Sequence, residues 1–224
     1  KFDAAFASVP ARDFVTRVLV GRLGIKKIWV GRDLRFGQGR RGGVDDLLQW
    51  GSEDGFDVGI VEPILLGGVR ISSSLVRRLV EEGRVDEAAP MLGRCHFVSG
   101  RVVAGKRRGR DLGFPTANIF SRTEVLPVDG IYATLFQCGA KRYLSASSIG
   151  TNPTFGNGPR TVESFLLDFD GDLYGEPVKL SFVKRIRAEK KFASVDELVA
   201  QMHKDVARAR VIFDESGFCA GGAG

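Results

Sequence analysis

The stretch GRVVAGKRRGRDLGFPTANI, residues 100–119, is the strongest signal in the second half of this chain. It places a glycine-rich basic loop between two short β-type runs. Further runs of the same kind follow at residues 130–139, 141–150, 161–171 and 176–187. Glycine turns separate these runs and no helical pattern lies between them, which predicts a compact antiparallel barrel.

The last part of the chain predicts one helix and a tail. Ser194 and Glu197 form an S-x-x-E capping box ahead of an amphipathic pattern that extends to about Phe213. We therefore expect a barrel domain over residues 93–213 and a disordered tail over residues 214–224.

Residues 1–92 have a different pattern, in which predicted helices and strands alternate. The successive segments are an amphipathic helix near 10–23, a strand at 25–31, a helix near 43–53 and a strand at 56–63. Such alternation predicts parallel strands joined by crossover helices. We expect these residues to form a separate α/β domain.

Two short helices close this first domain in the sequence. Serines precede a helical apolar pattern in RISSSLVRRLVEEG (70–83), so Ser72 or Ser73 is the expected N-cap and Gly83 the expected stop. In the next segment, VDEAAPML, we expect Pro90 to break or end the helix because proline lacks the backbone N–H.

The basic loop carries groups that suit a polyphosphate. Backbone amides at Gly100, Gly105 and Gly113 can approach phosphate oxygens closely, and Lys106 and Arg110 can offset their charge. No GK[ST] follows, so this is not a Walker A sequence. Taken alone, such a loop is more often a flexible basic surface hairpin, and that alternative stays open at this point.

One acidic residue stands out in the strand pattern TVESFLLDFDGDLYG, residues 161–175. Alternation puts Glu163, Phe165 and Leu167 on one face, which predicts that the carboxylate points toward the interior or a cleft. The alternative is a solvated edge position, which is the commoner place for a glutamate in a strand.

The segment GFPTAN, residues 113–118, resembles the PTAN motif of riboflavin kinases. Residues 92–213 as a whole are similar to the kinase module of the bacterial bifunctional riboflavin kinase/FAD synthetase family. This resemblance implies that Thr116 and Asn118 help to bind Mg²⁺ on the ATP phosphates, which suits neutral oxygen ligands. It also implies that Glu163 is the general base for the 5′-hydroxyl of riboflavin.

The same resemblance implies further substrate contacts. For ATP these are Gly100, Gly105, Lys106, Arg110, Gly113 and Pro115. For the flavin they are Asn152, in the segment SIGTNPTFG (148–156), and Arg187, in the segment FVKRIRAEKKF (182–192). Riboflavin, FMN and FAD would be the substrate and products of the whole enzyme.

Residues 1–91 resemble the later part of the FAD synthetase module, which adenylylates FMN. The segment VGRDLRFGQGRRG (30–42) implies flavin contacts from Asp33, Arg35 and Phe36. The segment ISSSLVRRL (71–79) implies ATP phosphate contacts from Ser72, Ser73 and Arg77, since helix N-termini favour anions. A plain helix cap is the alternative for these serines.

The combined fold expectation is α/β plus all-β. A partial Rossmann-like nucleotidylyltransferase domain is followed by a small antiparallel riboflavin kinase barrel with a C-terminal helix. The HxGH motif of the nucleotidylyltransferase superfamily is absent, since the only histidines are His96 and His203. We interpret the first module as truncated at its start, and expect this chain to make FMN but little FAD.

Composition indicates which class of protein this chain belongs to and which cellular compartment is expected. The chain has 224 residues, 43% hydrophobic and 27% charged, which is typical of a globular protein. No apolar run approaches the roughly 20 residues of a membrane helix. Three dispersed cysteines predict neither a zinc site nor a disulfide framework, and favour the cytoplasm.

The net charge is +6, with most of the excess after residue 93. Because no dense Lys/Arg stripe with aromatics accompanies it, small polyphosphate substrates are favoured over nucleic acid. The competing interpretations are a basic barrel that binds nucleic acid and a flavin sensor without turnover. Self-association is left open.

Overall fold

The computed structural model describes residues 2–105, 109, 112–123, 125–151 and 160–216. The contacts within it divide the chain into two compact units, Lys1–Ile71 and Ser72–Gly224. The two helices that the sequence groups with the first domain thus make their main contacts in the second unit.

The first unit has the α/β character that the sequence predicts. Its helices are α1 (Ala4–Ala7), α2 (Ala11–Asp13), which continues as a π-helix over Phe14–Arg22, and α3 (Val44–Asp54), with a 3₁₀ turn at Gln38–Arg40. Its strands are β1 (Lys27–Gly31), β2 (Asp57–Val61) and the small hairpin β3 (Leu65–Leu66) and β4 (Val69–Arg70). Strands β1 and β2 pair in parallel, which confirms the expected crossover. The core between them and the helices consists of Val15, Leu19, Val30, Val44, Leu47 and Phe56.

The second unit begins with helices α4 (Ser73–Glu81) and α5 (Val85–Leu92). The Ser72 hydroxyl accepts a hydrogen bond from the Leu75 N–H at 3.2 Å, so the predicted N-cap is confirmed. The expectation for Pro90 is wrong, because α5 continues past it to Leu92. Pro90 stands within the last turn of a two-turn helix, where it removes a single hydrogen bond, and Gly93 with φ 67° ends the helix.

Six strands form the barrel that the sequence predicts. They are β5 (His96–Val103), β6 (Thr116–Ser121), β7 (Gly130–Cys138), β8 (Lys141–Thr151), β9 (Arg160–Leu166) and β10 (Pro177–Arg187). The barrel is closed in the order β10-β5-β6-β9-β8-β7, and every pair is antiparallel. Its interior is filled by large apolar side chains, among them Tyr132, Phe136, Ile149, Leu180 and Phe182.

Helix α6 (Val195–Ser216) covers part of the barrel's outer face. Its residues Ala209, Ile212 and Phe213 pack on Ala133 and Val183 of the barrel. The capping box is present, with the Glu197 N–H donating to Ser194 Oγ at 3.2 Å. The helix extends three residues beyond Phe213, so the start of the expected tail is helical, and residues 217–224 lie outside the described part.

None of the helices in the described part of the chain has the length and apolar character that a bilayer crossing requires.

Candidate active site

Strand β9 has two distinct faces, and Glu163 lies on the outer one. Val162, Ser164 and Leu166 are buried in the barrel, whereas Glu163 and Phe165 are half-buried on the outer side. The alternation predicted for Glu163 and Phe165 is therefore present. Leu167 follows the end of the strand and is buried, and its membership of this face stays a prediction.

The outer face is not simply solvated, because aromatic rings cover part of it. The ring of Phe114 lies 5.0 Å from that of Phe165 and 4.9 Å from that of His203, measured between centroids. His203 is exposed on α6, as the sequence predicts, but its ring contributes to this cover. Glu163 consequently lies in a partly shielded place.

Three of the predicted site residues meet here. Asn118 on β6 is the register partner of Glu163 on β9, so the two side chains stand directly opposite each other. The Thr116 hydroxyl donates a long hydrogen bond of 3.4 Å to Glu163 Oε2. Two residues of the PTAN motif and the predicted base therefore form one cluster, although 47 positions separate Thr116 from Glu163.

Three predicted glycines of the loop have distinct surroundings. A Cβ at Gly105 would collide with the carboxamide of Asn118, and one at Gly100 would collide with the Phe120 carbonyl. Gly113 has φ 81°, a left-handed conformation that favours glycine. The predicted cations Lys106 and Arg110 lie outside the described residues.

A cavity of about 520 Å³ opens beside the cluster. Predicted residues Gly105, Pro115, Thr116 and Asn118 line one side of it. The cavity is also lined by a turn that contains none of the predicted site residues: Phe169, Asp170, Gly171, Asp172, Leu173 and Tyr174. The alternation of aspartate, glycine and aromatic residues in DFDGDLYG is the signal that could have identified it.

This turn is held by polar contacts at both ends. Asp168 accepts a hydrogen bond of 2.7 Å from Arg210 on α6, and Asp172 accepts one of 2.8 Å from the Tyr174 N–H. The ring of Phe169 packs against that of Tyr143, with 4.9 Å between centroids. The turn Phe169–Tyr174, which lines the cavity, is therefore held by side-chain and backbone contacts.

Arg187, at the end of β10, forms an ion pair with Asp205 of α6. Its Nε and Nη2 donate to both carboxylate oxygens of Asp205 at 2.7–3.1 Å, and its Nη1 donates to the Ala188 carbonyl at 2.9 Å. Asp205 is 5% exposed and also accepts a hydrogen bond from Gln201. This geometry ties the end of β10 to α6, and the flavin contact stays a prediction. Asn152, the other predicted flavin residue, lies outside the described residues.

The residues predicted for adenylyl transfer fall into both units. In the second unit, Ser72 caps α4, while Ser73 and Arg77 are exposed on its first turns. Ser72 therefore has the structural role of a cap, and its role toward ATP stays a prediction.

In the first unit, Asp33 pairs with Arg70 at 2.8 Å. A hydrogen bond from its own backbone and the Arg70 guanidinium hold the pKa of Asp33 below its ordinary value. Arg35 is exposed. Phe36 is half-buried between Phe14 and Trp50, with ring centroids 5.9 and 6.3 Å apart, so it packs against the core of this unit.

The sequence matches two known families in succession. The FAD synthetase family matches residues 1–75, and the riboflavin kinase family matches residues 92–213. The bifunctional riboflavin kinase/FMN adenylyltransferase of Escherichia coli strain K12 is 42% identical over 95% of this chain and 68% of its own length. The enzyme of that description from Pseudomonas fluorescens is 36% identical over 94% of this chain and 68% of its own length.

A solved structure is also similar over nearly the whole chain. It is described as a macrolide-efflux protein from Streptococcus pneumoniae, with a TM-score of 0.82 and 34% identity, and the match covers 94% of this chain and 68% of that one. With both family matches in the order that the relatives have, this chain belongs to the bifunctional riboflavin kinase/FMN adenylyltransferase family.

Proposed function

We infer that this chain is a riboflavin kinase that transfers the γ-phosphate of ATP to the 5′-hydroxyl of riboflavin and forms FMN. It has the kinase module and the FMN adenylyltransferase module of its family. The observation that carries the kinase assignment is the meeting of Thr116, Asn118 and Glu163 beside a nucleotide-sized cavity.

The cavity lining includes apolar and polar residues, which suggests how ATP is oriented in it. Phe169 and Leu173 offer an apolar surface for the base, whereas Thr116 and Asn118 supply polar groups near Glu163. We propose that the phosphates lie on the polar side, under the backbone of Gly100, Gly105 and Gly113. Lys106 and Arg110 would offset the phosphate charge.

The residues present suit a magnesium ion. The Thr116 hydroxyl and the Asn118 carbonyl are hard, neutral oxygen donors, and Mg²⁺ commonly takes the rest of its shell from water and phosphate. Asn118 is closely backed by Gly105, whose missing side chain leaves room for the carboxamide. No cluster of three or more His, Cys, Asp or Glu ligands occurs among the described residues, so those residues offer no separate acidic cage. When bound, the ion would neutralise charge on the transferring phosphate.

Glu163 would accept the proton of the attacking hydroxyl. Thr116 donates to its Oε2, and no described residue donates to Oε1, so we propose that Oε1 faces the substrate. As the bond between the riboflavin oxygen and phosphorus forms, the bond from phosphorus to the ADP oxygen breaks and the proton passes to Glu163. The rings of Phe114 and Phe165 would limit the access of water, which could otherwise accept the phosphate.

We propose small molecules as the partners of this reaction, with neither nucleic acid nor membrane involved, and the cytoplasm as its compartment. The dispersed cysteines support that compartment, because they form no disulfide framework pattern.

Incubation of the purified chain with riboflavin and Mg-ATP tests the assignment. We expect FMN and ADP in equal amounts, separated and quantified by chromatography. Omission of Mg²⁺ or ATP is the control and should abolish FMN formation. If the complete mixture yields no FMN while the folded chain is intact by circular dichroism, the kinase assignment is wrong.

A further inference from the structure

The row of side chains around Glu163 continues onto a third strand. Asn118 is opposite Glu163 on one side, and Ser148 of β8 is its register partner on the other. Directly opposite residues in antiparallel strands have Cβ atoms about 4.5–5.5 Å apart. Ser148 is half-buried, and its hydroxyl has no hydrogen-bond partner in the described part of the chain.

The next outward position on β8 brings a second carboxylate onto this surface. Gly150 lies two residues beyond Ser148 and therefore on the same face, about 7 Å along the strand. A Cβ at Gly150 would collide with the carboxylate of Glu189, so that carboxylate occupies the place of the missing side chain. Gly150 is buried as a result, although it lies on the outer face of the barrel.

Glu189 has no ion-pair partner within the described residues. The residue as a whole is exposed, but its carboxyl end is tucked over Gly150. Partial burial, followed by the charge of Asp129, raises the pKa of Glu189, against the opposing effect of Arg187 and Arg160. A carboxylate in such a place gains from hydrogen-bond donors that a ligand brings.

The in-line geometry of phosphoryl transfer indicates that the acceptor, riboflavin, approaches on the β8 side of Glu163. The nucleotide cavity lies on the β6 side of Glu163, where Thr116 and Asn118 stand. In phosphoryl transfer the attacking and leaving oxygens are roughly in line across the phosphorus, so the acceptor approaches from the other side. On the β8 side are the Ser148 hydroxyl and the Glu189 carboxylate, which lies over Gly150, about 7 Å along the strand from Ser148. That rise along the strand is comparable with the span of a short polyol chain.

We propose that Ser148 and Glu189 bind the hydroxyl groups of the ribityl chain of riboflavin, and so place its terminal hydroxyl against Glu163. The inference rests on the proposed kinase function and names the surface that distinguishes a flavin with a polyol chain from one without it. Hydroxyl groups both donate and accept, so they can donate to Glu189 and exchange hydrogen bonds with Ser148.

Comparison of two flavins tests the proposal. Fluorescence quenching gives the dissociation constants of riboflavin and of lumiflavin, which has the same ring system with a methyl group in place of the polyol. Ser148→Ala should weaken riboflavin binding by about threefold to tenfold, and Glu189→Ala by about tenfold or more, because the latter loses a charge-assisted hydrogen bond. Lumiflavin binding should not change. Ser181→Ala, a half-buried strand serine elsewhere in the barrel, and Glu215→Ala, an exposed glutamate on α6, are the matched controls.

Turnover gives a second measurement that does not depend on lumiflavin affinity. The KM for riboflavin should rise in both variants while the KM for ATP stays the same. An equal loss for riboflavin and lumiflavin, an equal rise in both KM values, or no change for riboflavin would each overturn the proposal. FMN formation by the unaltered chain is tested separately, so failure of the kinase assignment is distinguishable from failure of this inference.

The glycine provides an independent check of the geometry. Gly150→Ala should displace the Glu189 carboxylate and weaken riboflavin binding in the same selective way. In the Glu189→Ala background, Gly150→Ala should add nothing, because the two changes act on one contact. Additive losses would show that Gly150 acts through the backbone and would remove this support for the Glu189 position.

Discussion

Two carboxylates of the second unit, those of Glu163 and Asp205, have opposite surroundings. Glu163 is half-buried and, within the described residues, accepts one long hydrogen bond, from Thr116. Asp205 is buried and accepts three hydrogen bonds from Arg187 and one from Gln201. A carboxylate whose oxygens are saturated stabilises the fold, whereas a base needs an oxygen within reach of the substrate proton. Within the described residues, the number of hydrogen bonds that each carboxylate accepts therefore distinguishes the ion-paired Asp205 from Glu163, for which a base role is proposed.

Replacement of Glu163 should have the largest effect. We expect Glu163→Gln to lower kcat by about 10²–10⁴-fold, because the amide cannot accept the proton of the riboflavin hydroxyl. Flavin binding by fluorescence quenching and the free energy of unfolding should remain close to those of the unaltered chain. Parallel loss of turnover, binding and stability would instead assign Glu163 a structural role.

Replacement of Asp205 should lower the stability of the folded chain. Asp205→Asn leaves Arg187 facing an amide and should lower the free energy of unfolding by about 3 kcal/mol, measured by urea denaturation. Turnover per folded molecule should be largely kept. A change in kcat without a change in unfolding would show that the pair takes part in the reaction.

A double replacement, Arg187→Met with Asp205→Leu, serves as the control for that experiment. Replacing both partners by apolar residues should recover much of the lost stability, since no buried charge is left unpaired. The same variant tests the predicted flavin contact of Arg187. If that contact exists, the stable double variant should bind riboflavin more weakly.

The smallest expected effect concerns His96, a half-buried side chain whose ring has one hydrogen-bond partner among the described residues, the Val125 carbonyl. Burial lowers the pKa of His96, and this outweighs the hydrogen bond between Nε2 and the Val125 carbonyl. The unfolded chain therefore binds more protons as the pH falls. The contribution of His96 is fully present above the unfolded pKa of about 6.5 and is lost as the pH falls from there toward the lowered folded value.

The measurement is the thermal midpoint between about pH 7 and pH 5.5. We expect it to fall further in the unaltered chain than in His96→Gln, with a difference worth less than about 1 kcal/mol. Identical pH profiles would mean that protonation of His96 is as easy in the folded chain as in the unfolded one.

The local features of the fold and the residue types of the candidate site could be predicted from the sequence alone. Glycine turns between β-type runs predicted the barrel, serine predicted the caps of α4 and α6, and the PTAN motif with Glu163 predicted the cluster that the structure brings together. These features depend on residues that are close in the chain or on short motifs, so they can be predicted from the sequence. The parallel pair of β1 and β2 was predictable for the same reason.

Three features depend on the tertiary structure. They are the inward face of β9, the turn that completes the cavity and the pairing of Arg187 with Asp205. Alternation tells which side chains share a face, but the choice of face depends on the strands that close the barrel. The wall of Phe169–Tyr174 comes opposite Thr116 through that closure, and Arg187 meets Asp205 because α6 packs back on the barrel. Contacts between distant segments depend on the whole packed arrangement, which no local pattern specifies.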